Sequence, residues 1–229
     1  MANMQKVEAG ASVAVILPHS TDEEFFVEDL GELDEKPFYS FVKRLADIVL
    51  SFIALVILAI PMGIIALLVR FTSEGEVFYH QERLGLNGKK IDVVKFRTMY
   101  TDAEKKAVQW SAGDKDPRIT PLGRFLRKTH MDEYPQFLSI LKGEMSLIGP
   151  RPEREVFYDK FEQYIHGFHE RLKVKPGLTG LAQVNGGYHL TPEEKVAYDV
   201  EYIKNRSIWL EIKIFLKTIV VLFACKDAK

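Results

Sequence analysis

The chain has 229 residues, 47% of them hydrophobic and 28% charged, with a formal net charge of −1. That is enough apolar mass for one ordinary domain plus an appendage, and the lone Cys225 excludes an internal disulfide and a zinc-binding cysteine set. The near-neutral total hides a split: nine acids face two lysines through Lys36, a local charge of −7, which leaves +6 on the remaining residues.

Residues 1–36 form this acidic extension. Its few apolar positions follow no helical or strand period, so it is expected to be mobile. The run VAVILP at 13–18 is too short for the apolar part of a signal peptide, and basic residues hardly precede it. The basic remainder suits anionic ligands or an anionic membrane surface.

Residues 37–72 are expected to enter a membrane. Ile48 to Val69 is a run of 22 residues without a charge, about 33 Å of helix, long enough for a hydrocarbon core of roughly 30 Å. A buried helix of a soluble protein is rarely so uniformly apolar on all faces. Pro61 sits near the middle, where it removes a helical hydrogen bond, and Gly63 loosens the same place. Lys43 and Arg44 flank one end and Arg70 the other. Positive charge on both flanks suits a hairpin returning to the cytoplasmic face, whereas a kinked span also tolerates the proline. On these residues both topologies stay open.

In the body, VFYHQERLGLNGKKIDVVKFRTM at 77–99 predicts a β-hairpin turning at Asn87-Gly88. On its second strand Lys95 and Arg97 share a face with Val93 and could meet an anion, or could simply protect a strand edge. PLGRFLRK at 121–128 predicts a helix whose Arg124, Arg127 and Lys128 form one basic stripe. A solvated face is the ordinary explanation for such a stripe.

The stripe leads into MDEYPQFLSILKG at 131–143, read as a helix that ends at Gly143 and carries Pro135 in its first turn. Asp132 and Glu133 could merely cap and charge its N-terminus. They could also handle a phosphate and a metal. SLIGPRPE at 146–153 favours the second reading, because Arg151 stands between two prolines that fix the backbone of a guanidinium suited to phosphate.

VKPGLTGLAQVNGG at 174–187 reads as a turn-rich strand region rather than a dinucleotide fingerprint. His166 and His169 could share a helix face, but no third metal ligand stands near them. SIWLEIKIFLKTIVVLFA at 207–224 gathers Trp209, Ile212, Leu216, Ile219, Val220 and Phe223 on one face, with Lys213 and Lys217 on another. That pattern fits a helix in a membrane interface, or one packed on the domain core.

Five stretches in this order resemble the monotopic phosphoglycosyl transferases, the bacterial sugar transferases that begin capsule, exopolysaccharide or related glycan assembly. They are the apolar segment before Arg70, VKFRTM at 94–99, RITPLGRFLRKTHMDEYPQ at 118–136, LKGEMSLIGPRPE at 141–153 and VKPGLTGLAQVNG at 174–186. The resemblance covers most of the chain from about Lys43 onward and leaves the acidic extension outside.

The resemblance implies an α+β fold: a re-entrant membrane hairpin over 37–72, then a cytoplasmic catalytic domain over 73–229 of interfacial amphipathic helices and a β-hairpin. It implies transfer of a sugar 1-phosphate from a nucleotide diphosphate sugar, usually a UDP-sugar, to undecaprenyl phosphate, with release of the nucleoside monophosphate. Asp132 would be the nucleophile and Glu133 would hold Mg²⁺. Lys95, Arg97, Arg124, Arg127 and Arg151 are the candidate phosphate-binding cations. Pro61 would mark the membrane break, although the family's Ser-Pro pair is here Ile60-Pro61. The expected partners are the nucleotide sugar, the polyprenyl phosphate and membrane lipids, at the cytoplasmic face of the inner membrane. No nucleic acid is expected, and homo-oligomerisation is left open. Two rival readings are a non-catalytic membrane scaffold of a glycan assembly complex and a Mg²⁺-dependent diphosphate hydrolase.

Overall fold

A computed structural model describes residues 14–16, 24–101, 103, 107–109 and 116–224. Among these, four two-stranded pairings carry the β structure. β1 (Ala14–Ile16) runs parallel to β5 (Ala107–Gln109), and β2 (Phe25–Phe26) runs parallel to β7 (Ile165–His166). β3 (Phe78–Leu84) and β4 (Lys90–Phe96) form the expected hairpin, in register from Phe78↔Phe96 to Leu84↔Lys90. Its turn uses Asn87 at φ 54° and Gly88 at φ 74°, the left-handed pair that an Asn-Gly sequence accommodates. β6 (Ser146–Ile148) pairs parallel with β8 (Gly177–Thr179).

The helices are α1 (Pro37–Thr72), α2 (Pro121–Lys128), α3 (Gln136–Lys142), α4 (Glu155–Phe161), α5 (Leu181–Asn185), α6 (Pro192–Lys204) and α7 (Ile208–Ala224). The 174–187 stretch therefore divides at Gly180 into strand β8 and helix α5, where a strand region alone was expected.

α1 is 36 residues long, about 54 Å at ~1.5 Å per residue. It is one helix running through Pro61, not two legs joined by a loop. The proline deletes a single N–H, and continuing the helix leaves fewer backbone groups unpaired than opening a loop in an apolar setting. Only 11% of its most apolar 18-residue window is buried, and Phe52, Val56, Ile57, Ile60 and Leu67 face outward.

Both ends of α1 are fixed to the same domain. Near its start, Lys43 Nζ donates to the Ile148 carbonyl at 2.9 Å, and Asp47 accepts from the Leu147 amide at 2.9 Å. Near its end, Ile65 and Val69 pack with Phe96 and Leu126. The two units also cap each other. Arg44 donates to the carbonyls of Ile140 and Leu141 at the end of α3, at 2.7 and 2.8 Å. Arg97 donates to the carbonyls of Val69, Ser73 and Glu76 at the end of α1. Cations on last-turn carbonyls satisfy acceptors that a helix leaves orphaned.

α7 packs on the domain core along one stripe, the second of the two readings held for it. Ile214 is buried, and Leu210 packs against the same cluster beneath the domain. Trp209, Ile212, Leu216, Ile219 and Val220 remain exposed on the other side. One narrow stripe serves the core and leaves the broader apolar face outside.

Of the acidic extension, residues 24–36 run along the domain. Leu30 donates its amide to Glu170 Oε2 at 2.8 Å, Glu28 pairs with Lys204 at 2.7 Å, and Val27 packs against the cluster around Phe157, Phe161 and Phe168. Of the acids that made this segment look free, Asp29 and Glu28 find lysine partners on the folded surface, Lys173 and Lys204.

Candidate active site

Thr98, just past the end of β4, organises the cationic side of the site. Its carbonyl accepts from the Thr120 amide at 3.0 Å, and Thr120 Oγ1 in turn caps α2 by accepting from the Gly123 amide at 2.9 Å. A Cβ on Gly123 would fall 2.0 Å from the Thr98 carbonyl oxygen, so only glycine lets the helix approach so closely. This contact brings Arg127 over the strand, where its Nε donates to Thr98 Oγ1 at 2.8 Å. Leu126, the preceding residue of α2, is fully buried against Ile65, Val69 and Phe96.

α2 ends at Lys128, and His130, with a φ of 55°, turns the chain back. Met131 to Glu133 then make a single 3₁₀ turn, and α3 begins only at Gln136. Asp132 is therefore not the N-cap of a long helix. The amides of Glu133 and Tyr134 bond three residues back, to His130 and Met131, and Pro135 has no amide to extend an α-ladder. Gly143 closes α3 at φ 85°, as its position predicts.

This tight turn buries both carboxylates, Asp132 at 6% and Glu133 at 7% exposure. They are in different states. Glu133 is clamped: Lys95 Nζ meets Oε1 at 2.5 Å, and the Arg151 guanidinium reaches both carboxylate oxygens. Burial alone would raise its pKa, but Arg151 and Lys95 outweigh it and hold the group well below the usual carboxylate range. Asp132 has no hydrogen-bond partner among the described residues. Burial, reinforced by neighbouring Glu133, pushes it up to about 6 against the pull of Lys95, Arg127 and Arg151.

Arg151 is held by its own backbone. The carbonyls of Pro150, Arg151 and Pro152 accept, respectively, from the Gly177 amide at 2.8 Å, from Arg171 Nη2 at 2.9 Å, and from Arg83 Nη1. Three consecutive anchored carbonyls fix the loop as its two prolines suggested. Arg171 is itself buried, paired with Asp199 at 2.6 Å and lying over the Phe168 ring at 4.7 Å.

Asp132, Glu133, Lys95, Arg97, Arg127 and Arg151 all line one cavity of about 1030 Å³. Arg97 is there, yet its guanidinium is engaged with the carbonyls at the end of α1. Arg124 lies on the exposed face of α2 and is not among the lining residues. Pro61 belongs to the exposed face of α1. His166 stacks on Phe26 at 4.7 Å, and His169 bonds Glu162 at 2.6 Å, so each serves a local contact.

The lining also includes groups that sequence reasoning missed: Arg83, Glu153, Arg171, Lys195, Asp199 and Gln183. Burial lowers Lys195 to about 8, with Glu153 the largest opposing influence. These side chains come from β3, the 149–154 loop, the 168–173 turn, α5 and α6. The local signals were Glu153 and Gln183, which fall inside the stretches 141–153 and 174–186 that carry the resemblance.

Among the described residues no group of three or more His, Cys, Asp or Glu side chains forms a cage for a metal. A hard ion such as Mg²⁺ commonly takes one or two carboxylates and completes its shell with substrate phosphates. Adjacent buried carboxylates at a cation-lined cavity fit that habit.

Residues 38–225 match the model of a family described as bacterial sugar transferase. Among curated proteins, the chain is 42% identical over 192 residues to UDP-glucose:undecaprenyl-phosphate glucose-1-phosphate transferase of Escherichia coli (strain K12), covering 82% of this chain and 41% of that protein. It is 41% identical over 193 residues to UDP-N-acetylgalactosamine-undecaprenyl-phosphate N-acetylgalactosaminephosphotransferase of Aeromonas hydrophila, covering 83% of this chain and 45% of that protein. Exopolysaccharide production protein ExoY of Rhizobium meliloti (strain 1021) is 35% identical over 215 residues, covering 87% of this chain and 93% of ExoY. The chain thus spans less than half the length of the first two relatives and nearly the whole of the third.

Proposed function

Because this chain belongs to the bacterial sugar transferase family and is a transferase, we propose that it moves a sugar 1-phosphate from a UDP-sugar to undecaprenyl phosphate through a covalent intermediate on Asp132. In the first step an Asp132 oxygen bonds to the phosphorus bearing the sugar. The bond from that phosphorus to the bridging oxygen breaks, and the nucleoside monophosphate leaves. In the second step an oxygen of the lipid phosphate attacks the same phosphorus and frees the carboxylate, giving a lipid-linked diphosphate sugar.

The observation that carries this reading is the contrast within the carboxylate pair. Glu133 is ion-paired, whereas Asp132 is buried, without a hydrogen-bond partner among the described residues, and raised to about 6. A carboxylate with that pKa is ionised at pH 7 and more basic than an ordinary aspartate. Donor and acceptor are both anionic, so the attack needs nearby positive charge, which Lys95, Arg127 and Arg151 supply. Glu133, with Asp132 beside it, would hold Mg²⁺ together with donor phosphate oxygens. The ion, when bound, offsets the negative charge of the diphosphate.

The membrane arrangement supports the same reading. The lipid acceptor stays in the bilayer, so the cavity must sit at headgroup height. α1 is anchored to the catalytic domain at both ends with its apolar middle outward, and α7 shows an apolar face beside it. A helix crossing the bilayer would place its two ends on opposite sides. We infer that α1 sits in the membrane without crossing it, both ends on the side of the catalytic domain, at the cytoplasmic face of the inner membrane. Cysteines introduced before Lys43 and after Arg70 should both be shielded from a membrane-impermeant label in intact cells. Labelling of one set alone would replace this topology with a span.

The direct test of the chemistry uses donor without lipid. Mass spectrometry of the peptide containing Asp132 should show an added sugar phosphate, which undecaprenyl phosphate then discharges. A scaffold would form no adduct, and a hydrolase would turn over donor without lipid. An adduct on any other residue overturns the assignment.

A further inference from the structure

Gln183, on α5, lines the same cavity as Asp132, Glu133 and Arg151. Its Oε1 and Nε2 are both buried, and neither has a hydrogen-bond partner among the described residues. It is the one described residue whose side chain leaves both a donor and an acceptor orphaned in this way. Buried polar groups are nearly always paired, so an unpaired amide on a cavity wall points to a partner arriving from outside.

The surrounding backbone keeps the amide in this position. α5 begins directly after Gly180, whose carbonyl accepts from the Val184 amide at 3.1 Å. A Cβ on Gly180 would lie 2.6 Å from Gln183 Oε1 and 2.2 Å from the Gly149 carbonyl oxygen. Only glycine lets Gln183 fold down against this junction. Gly149 in turn donates its amide to Thr179 at 2.9 Å and leads directly into the loop that carries Arg151. Gln183 therefore lies beside the base of the phosphate-facing loop.

We propose that Gln183 reads the uncharged part of the sugar-nucleotide donor, through a group that presents an N–H or O–H next to an acceptor oxygen. This rests on the transferase reading above. A phosphate would engage only Nε2 and would bring negative charge against Oε1, while cations for phosphate already line the cavity. A nucleobase edge, or a pair of sugar hydroxyls, matches the amide on both atoms.

Gln183→Met removes both polar atoms at similar length and is the decisive variant. A site built to hydrogen-bond its ligand loses affinity when that group is deleted, whereas deleting an orphaned buried amide does not harm the fold. The expected result is a Tm equal to or above that of the unmodified protein, with the KM for UDP-glucose or UDP-N-acetylgalactosamine raised about tenfold or more. The KM for undecaprenyl phosphate should stay unchanged. Competition by UMP separates the two parts of the donor. Equal weakening of UMP places the contact on the base, and unchanged UMP places it on the sugar. An unaltered donor KM overturns the proposal, as does a marked fall in Tm with both KM values rising together. Equilibrium dialysis of the UDP-sugar is run alongside on both proteins. If the unmodified protein binds donor but releases no UMP with lipid present, the transferase reading fails, while the binding difference still decides the role of Gln183.

Discussion

Asp132→Asn is expected to abolish transfer while making the protein more stable at neutral pH. The amide cannot form the bond to phosphorus, so turnover and the donor-alone adduct should both fall at least ~10³-fold, the scale seen when a nucleophile is removed. Stability moves the other way because burial has raised the carboxyl from 3.8 to about 6. A carboxyl that holds its proton more tightly folded than unfolded makes the native state lose stability as pH rises from about 4 through about 6. Above that window the whole penalty is present. At ~1.4 kcal/mol per pKa unit, the asparagine should regain roughly 3 kcal/mol at pH 7 and almost nothing at pH 4. Thermal unfolding at both pH values, in one detergent, checks this. The same titration predicts an acid limb in the activity of the unmodified protein, with kcat/KM falling about tenfold per pH unit below about 6. Full activity of the purified variant would remove Asp132 from the reaction.

Asp199→Ala is expected to give the largest loss of stability among single changes near the cavity. Asp199 and Arg171 each expose 2% of their side chains and meet at 2.6 Å. Removing one partner strands a guanidinium in a buried setting, a cost of roughly 3–5 kcal/mol. For a chain of this size that is a fall in Tm of about 10 °C. The double variant Arg171→Met with Asp199→Leu removes both charges and should recover most of the stability. It should not recover full activity, because the Arg151 carbonyl has lost the donor at 2.9 Å that held it. A loss of about tenfold in kcat/KM in a double variant of near-normal Tm would assign Arg171 a positioning role. Full activity in that variant would leave the pair a purely structural one.

Much of this site could be read locally because each feature depends on neighbours in the chain. Asn87-Gly88 made its hairpin, Gly143 stopped its helix, and Pro150 with Pro152 bracketed an arginine that is indeed rigidly held. The 3₁₀ turn at Asp132 could have been seen in advance from Pro135, which denies α3 an amide at its start.

Other features depended on distant partners. Lys95 and Arg97 follow one another on the same strand face, yet one clamps Glu133 and the other binds carbonyls at and just past the end of the long apolar helix α1. Arg124 and Arg127 share a helical stripe, yet only Arg127 lines the cavity. Residues 28–30 of the acidic extension look free until Lys173, Lys204 and the backbone of Leu30 are folded against their partners.

By itself the amino-acid order determined the β3–β4 hairpin, the long apolar helix and the stop at Gly143, and which residue types could meet a phosphate. Those properties follow from side-chain periodicity, proline and glycine geometry, and hydrophobic length, all of which act over a few residues. Only the tertiary structure decided the state of each charge. Adjacent Asp132 and Glu133 differ because Lys95 and Arg151, 38 and 18 residues away, both point at Glu133. Burial and ion pairing depend on distances through space, and those exist only once the chain has closed around them.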